Sequence, residues 1–91
     1  MHVRVEFFGI VRHRTGTSCC ELETSKDSLR LSEVLLRLEQ QYPALVGDCL
    51  EHGQLRPGYL ANLDGEQFIT DLDTPVSPGQ SVLILSADIG G

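Results

Sequence analysis

No stretch of this chain approaches the ~18 apolar residues of a membrane-spanning helix. The opening residues, Met1-His2-Val3-Arg4-Val5-Glu6, alternate polar with apolar, so the continuous apolar region of a signal peptide is missing too. Basic residues are few: 7 Lys and Arg stand against 13 Asp and Glu, for a formal net charge of −6. That balance argues against nucleic acid or an anionic membrane surface as a partner. The three cysteines, Cys19, Cys20 and Cys49, are odd in number and lack metal-ligand spacing. Adjacent residues of a strand point to opposite faces, so Cys19 and Cys20 are badly placed to pair. This usage fits the reducing cytoplasm, with thiols that pack rather than react. The histidines His2, His13 and His52 form no i, i+4 pair, so no metal site is expected. Gly79-Gln80-Ser81 is a lone turn glycine and not a phosphate cradle. Repeats, low-complexity runs and linkers are absent, and no constellation supports an independent enzyme.

What is present is a single small domain of 91 residues. Val3-Arg4-Val5-Glu6-Phe7-Phe8 has period two and predicts a strand with Val3, Val5 and Phe7 on one face. Arg12-His13-Arg14-Thr15-Gly16-Thr17 reads as a polar turn leading into a second strand over Cys19–Glu23. Then the period changes. Leu31, Val34, Leu35, Leu38 and Tyr42 fall within one ~100° stripe of a helical wheel. Leu36 falls off that stripe. The helix starts between Ser28 and Ser32, either of which is an acceptable cap, and ends before Pro43. Residues Ala44–Leu50 are expected to form a short second helix. Tyr59–Leu63, Asp64-Gly65 and Glu66–Ile69 predict a hairpin, because Asp-Gly favours the primed turn that matches strand twist. Asp64, Glu66, Asp71 and Asp73 read as solvated turn carboxylates rather than as an acid–base pair. The last strand is expected over Ser81–Leu85.

The order β-β-α-β-β-β is an α+β pattern: a mixed sheet of four to five strands covered by one main helix. It suits a β-grasp, in which the first and last strands pair in parallel. Residues 1–85 are expected to form that domain and residues 86–91 a flexible tail ending in Gly90-Gly91. A six-residue extended tail reaches roughly 20 Å. Without Cβ atoms, its last two residues fit a channel that closes around backbone. The terminal carboxylate is then the candidate reactive group.

Several of these segments resemble the ThiS/MoaD sulfur-carrier family: Val5-Glu6-Phe7-Phe8-Gly9-Ile10-Val11-Arg12, the Gly16 turn, the helix ending Tyr42-Pro43, the strand–Asp64-Gly65–strand unit, and Thr74 to Val82 before the Gly-Gly end. Within the family the chain is most similar to the small, non-catalytic subunit of molybdopterin synthase. The resemblance implies a ubiquitin-like β-grasp. It implies that an E1-like adenylyltransferase uses ATP and Mg to adenylate Gly91, which then becomes a thiocarboxylate. Gly90 and Ile89 would thread the tail into that enzyme. Leu85 matches an apolar docking residue, and Arg12 and Ile69 match positions of partner contact. Of the neighbours Phe68 and Ile69, whichever is exposed is the interaction candidate. The chain itself would bind no cofactor. Its second partner would be a sulfur-accepting synthase subunit. Where molybdopterin synthase subunits often carry a proline pair, this chain has Ser86-Ala87-Asp88-Ile89. Carriers for thiamine or cysteine biosynthesis, a ubiquitin-like modifier conjugated through Gly91, and a plain β-grasp interaction domain remain as alternatives.

Overall fold

The computed structural model describes residues 1–87. Strand β1 (His2–Phe7) buries Val3, Val5 and Phe7, as its alternation predicts. Helix α1 (Gly9–Thr15) follows, then β2 (Cys19–Glu23), β3 (Leu29–Arg30) and the main helix α2 (Leu31–Gln41). A 3-10 turn (Pro43–Leu45) leads to the short strands β4 (Leu50–Glu51) and β5 (Gln54–Leu55). Among the described residues, β6 (Tyr59–Leu63), β7 (Gln67–Ile69), β8 (Pro75–Val76) and β9 (Ser81–Ser86) complete the fold.

Five strands form the main sheet in the order β2-β1-β9-β6-β7. β1 and β9 run parallel, with Val5 opposite Val82 and Phe7 opposite Ile84; every other pairing in this sheet is antiparallel. This is the β-grasp expected, with the first and last strands side by side near the middle of the sheet.

Helix α2 covers one face and buries Leu31, Val34, Leu35 and Leu38, the predicted stripe. Tyr42 closes that stripe with its ring edge against Phe7, centroids 5.3 Å apart and planes at 78°. The helix begins within the expected window, but neither serine caps it. Pairing of β3 with β8 holds Leu29 and Arg30 extended. The N–H groups of Leu31 and Ser32 donate to the carbonyls of Thr74 and Leu72, and the Arg30 N–H donates to Glu33 Oε1 at 2.9 Å. Backbone and glutamate therefore satisfy the first-turn donors that a serine cap would otherwise serve.

Two local expectations are corrected. The predicted polar turn around Arg12 is instead helix α1, closed by a bond from the Gly16 N–H to the Arg12 carbonyl. Its only buried residue is Val11, so there is no apolar period to read. The predicted helix over 44–50 is a 3-10 turn followed by the β4–β5 hairpin. That hairpin lies under Leu36: a Cβ on Gly53 would meet the Leu36 Cγ at 3.0 Å. Glu39 Oε2 also accepts the Gly53 N–H at 2.6 Å. A tertiary contact from α2 thus fixes the segment, and local propensity is overridden. The Asp64-Gly65 hairpin forms as predicted, with φ of 58° and 74° at the two residues.

Candidate functional site: the open sheet face and the strand exit

Helix α2 covers one face of the sheet, and the pleat sets the side chains of the other. Successive residues alternate faces, so Phe7 in the core puts Phe8 outside, and Val82 and Ile84 in the core put Leu83 and Leu85 outside. Register then aligns them. Glu6, Leu83, Asn62 and Phe68 lie side by side across four strands, and Leu85 faces Leu60 one step along. Phe8 is 43% exposed and Phe68 is 58% exposed. With Asn62, Gly65, Leu83 and Leu85 they line a shallow groove of about 210 Å³. Exposed aromatic side chains around an apolar groove mark an interaction surface.

Of the residues proposed from sequence for docking, Leu85 and Phe68 lie on this groove. Ile69 does not. It is 7% exposed and packs into the core opposite Ala61, because it follows Phe68 on a strand and so takes the other face. Arg12 is exposed on α1, outside the groove. Gly91, Gly90 and Ile89 lie outside the described residues. Sequence reading missed Phe8, Leu83 and Asn62; the alternation of β1 already put Phe8 opposite the core, whereas Leu83 and Asn62 lie in strands with no such alternation and take their face from the pairing.

The strand exit is the second part of the site. β9 runs one residue further than expected, to Ser86, and the Ala87 N–H donates to the Gly58 carbonyl at 2.7 Å. Ser86 and Ala87 are therefore tied to the sheet. Because β1 and β9 are parallel, α1 emerges at this same end, and the Phe8 N–H donates to the Ile84 carbonyl at 3.1 Å.

A polar network braces this end. The Arg14 guanidinium sits 2.5 Å from Asp48 Oδ2. The same carboxylate accepts the Tyr59 hydroxyl at 3.2 Å, and the Cys49 thiol lies 3.6 Å away. Contact with Cys49, then burial, pushes the Tyr59 phenol up to about 12. Burial likewise raises the Cys49 thiol, and it raises Cys20 beside Tyr42. Thiols held protonated are poor nucleophiles. Among the described residues no three His, Cys, Asp or Glu side chains converge as metal ligands. His2 pairs with Glu23. Asp64 Oδ1 accepts the Ser81 N–H and Asp71 Oδ1 accepts the Asp73 N–H, each at 2.8 Å, as turn carboxylates do. No helix among the described residues is long and apolar enough to cross a membrane.

Parallel first and last strands, one covering helix and an open apolar face define a ubiquitin-like β-grasp domain. Solved structures share that fold. Small archaeal modifier protein 1 from Methanosarcina acetivorans is 26% identical, with a TM-score of 0.78 over 99% of this chain and 96% of that one. The crystal structure of SAMP1 from Haloferax volcanii gives a TM-score of 0.82 at 16% identity, over the whole of both chains (100% and 100%). The complex of subunits 1 and 2 of the molybdopterin-converting factor from Helicobacter pylori matches with a TM-score of 0.65 and 23% identity, again over 100% of each chain. No protein-family model matches the chain, and no curated protein matches it in sequence.

Proposed function

We propose that this protein is a cytoplasmic sulfur carrier of the ThiS/MoaD type, with Gly91 as the loaded residue. The observation that carries the reading is the coincidence of two features. The last strand leaves the sheet beside an exposed apolar groove, and the sequence beyond it runs to Gly90-Gly91. A partner seated on the groove would be within reach of the tail. Likeness of fold to the subunit 1 and 2 complex of a molybdopterin-converting factor supports such a partner.

The chemistry follows from what a carboxylate lacks. It is a poor electrophile until an oxygen of Gly91 attacks the α-phosphorus of ATP and pyrophosphate departs. The acyl-adenylate then accepts hydrosulfide at its carbonyl carbon, AMP leaves with the electron pair of the broken C–O bond, and the thiocarboxylate remains. The ATP, the Mg and the acid–base groups belong to an E1-like adenylyltransferase, while this chain contributes reach, shape and the reacting carbonyl. A sulfur-accepting synthase subunit then takes the sulfur, and molybdopterin formation is the favoured destination. The experiment is intact-mass analysis after incubation with the adenylyltransferase of the source organism, ATP and sulfide. Loading appears as a sulfur-for-oxygen exchange confined to Gly91. A label on Cys19, Cys20 or Cys49 instead would defeat the mechanism.

A second reading is favoured by the likeness to two small archaeal modifier proteins. In it, the same adenylate is passed to a lysine amine of a target protein, giving an isopeptide at Gly91. Larger conjugates in place of free thiocarboxylate would select it.

A further inference from the structure

The two edges of the main sheet are finished differently. At the β2 edge the Phe7 N–H donates to the Ser18 carbonyl, and the Thr24 N–H donates to the Met1 carbonyl. Cys20 and Leu22, in step with them, turn their backbone groups towards β1, and Cys19, Glu21 and Glu23 turn theirs outward. Side chains occupy part of that outward row. The Thr17 hydroxyl donates to the Cys19 carbonyl at 3.2 Å, and the Arg37 guanidinium donates to the Glu23 carbonyl at 2.6 Å. An edge filled in this way is a poor template for another strand.

The β7 edge has no such cover. In β6, the Asp64 N–H donates to the Ser81 carbonyl, and the Gly58 carbonyl accepts the Ala87 N–H. The even-numbered residues of β6 therefore face β9, and Ala61 and Leu63 face β7, where they pair with Ile69 and Gln67. Phe68, between those two, directs both its N–H and its carbonyl away from the sheet. Among the described residues no hydrogen bond reaches either group. Its ring is 58% exposed on the open face.

We propose that β7 pairs antiparallel with β7 of a second copy of this chain, across a two-fold axis at Phe68. The proposal is independent of the sulfur-carrier reading. One residue whose N–H and carbonyl both point outward is self-complementary under such an axis: each Phe68 donates to the other and accepts from it. The register follows from the axis. Gln67 faces Ile69 of the second copy and Glu66 faces its Thr70, so no two carboxylates are set opposite each other, although each chain carries a net charge of −6. The free edge is short, because the Glu66 N–H already donates to the Leu63 carbonyl. A longer strand of another protein would gain little from it beyond Phe68, whereas a second copy also brings a matching exposed ring. The two Phe68 rings then lie side by side on the open face, where each rims its own apolar groove, and the two grooves join across the axis. In each copy β9 lies two strands in from the junction, so both strand exits stay clear.

The test uses the full chain alone, over a concentration series from micromolar to millimolar. Sedimentation equilibrium should show the mass rising from 10.0 kDa towards twice that value. Amide hydrogen exchange by NMR, on the same series, should slow at Phe68 as the concentration rises. The Gln67 and Ile69 amides, already bonded within the sheet, should be protected throughout. Phe68→Pro removes the outward donor and no bond inside the fold. It should melt near the wild-type temperature and raise the dimer dissociation constant about tenfold or more, for two lost hydrogen bonds. A mass that stays at 10.0 kDa at millimolar concentration overturns the proposal. So does a mass that doubles without slower exchange at Phe68, since the copies then meet elsewhere, or a Phe68→Pro that associates like wild type. Protection of Phe68 that appears only when a different protein is added assigns the edge to that protein and overturns the second copy. If Phe68→Pro fails to fold, the mass and exchange measurements on the wild type decide.

Discussion

The Ala87 N–H donates to the Gly58 carbonyl at 2.7 Å, one step beyond the paired residues Tyr59 and Ser86. The bond makes the root of the tail part of the sheet rather than part of the tail. Replacing Ala87 with proline removes the donor while Ser86 stays in the extended conformation that proline favours in the residue before it. The expected cost is about 0.5–1.5 kcal/mol of stability, read from denaturant unfolding. Loading by the adenylyltransferase should slow about tenfold or more, since small errors in position are costly at a reacting centre. Wild-type loading by Ala87→Pro would confine the tether to a structural role.

Phe68 and Ile69 are adjacent, and they should respond in opposite ways to truncation. Phe68→Ala, on the exposed face, should change stability by no more than about 0.5 kcal/mol. It should weaken partner binding by about 2 kcal/mol, as loss of an aromatic anchor does. Ile69→Ala, in the core, should cost about 2–4 kcal/mol of stability. After correction for the unfolded fraction, its binding should be unchanged. Calorimetric titration and thermal melting of the two variants separate these outcomes.

Deleting Gly91 should abolish sulfur loading and leave the melting temperature in place. The stability half follows because a terminal glycine has no side chain and so buries almost no apolar surface. The activity half follows from geometry, because one residue displaces the carboxylate by about 3.8 Å. Gly91→Val should also fail, through a branched side chain in a channel shaped for backbone. Both are read by intact mass after incubation with enzyme, ATP and sulfide.

The Tyr59 phenol gives the fold an alkaline limit. Its folded value stands at about 12 against an ordinary 10.0, so the neutral form is the one the fold favours. Stability from this group is fully present below about pH 10 and is lost as pH rises towards the folded value. The phenolate absorbance of the native protein should therefore show a late step that Tyr59→Phe abolishes. At neutral pH the same variant should lose about 1 kcal/mol, for the missing hydrogen bond to Asp48. A tyrosine titration with no late step would remove Tyr59 from the braced end.

The long-range layout was legible where one period ran long enough to speak. β1 and α2 announced their buried faces through Val3, Val5, Phe7 and the Leu31–Tyr42 stripe, and Asp64-Gly65 announced its turn. Segments too short to carry a period were not legible. α1 buries only Val11, and β4–β5 is held by Leu36 and Glu39 from another element. The apolar groove was half visible. Leu85 and Phe68, named from sequence, line the groove, but which of Phe68 and Ile69 faces out depends on register, and register is a property of paired strands. The network of Arg14, Asp48 and Tyr59 joins three distant segments and leaves no local mark.

The parallel contact of β1 with β9 also orders events during synthesis. β1 is synthesised well before β9, and the central pairing of the sheet needs both. A nascent chain cut short before Ser81 lacks the strand that sits between β1 and β6, so it has no complete sheet to close. Such non-local closure is slow compared with helix formation. It means that the domain and the residues presenting Gly90-Gly91 mature together. A product truncated there leaves β1 and β6 without their shared neighbour, the kind of open edge that proteases and aggregation exploit.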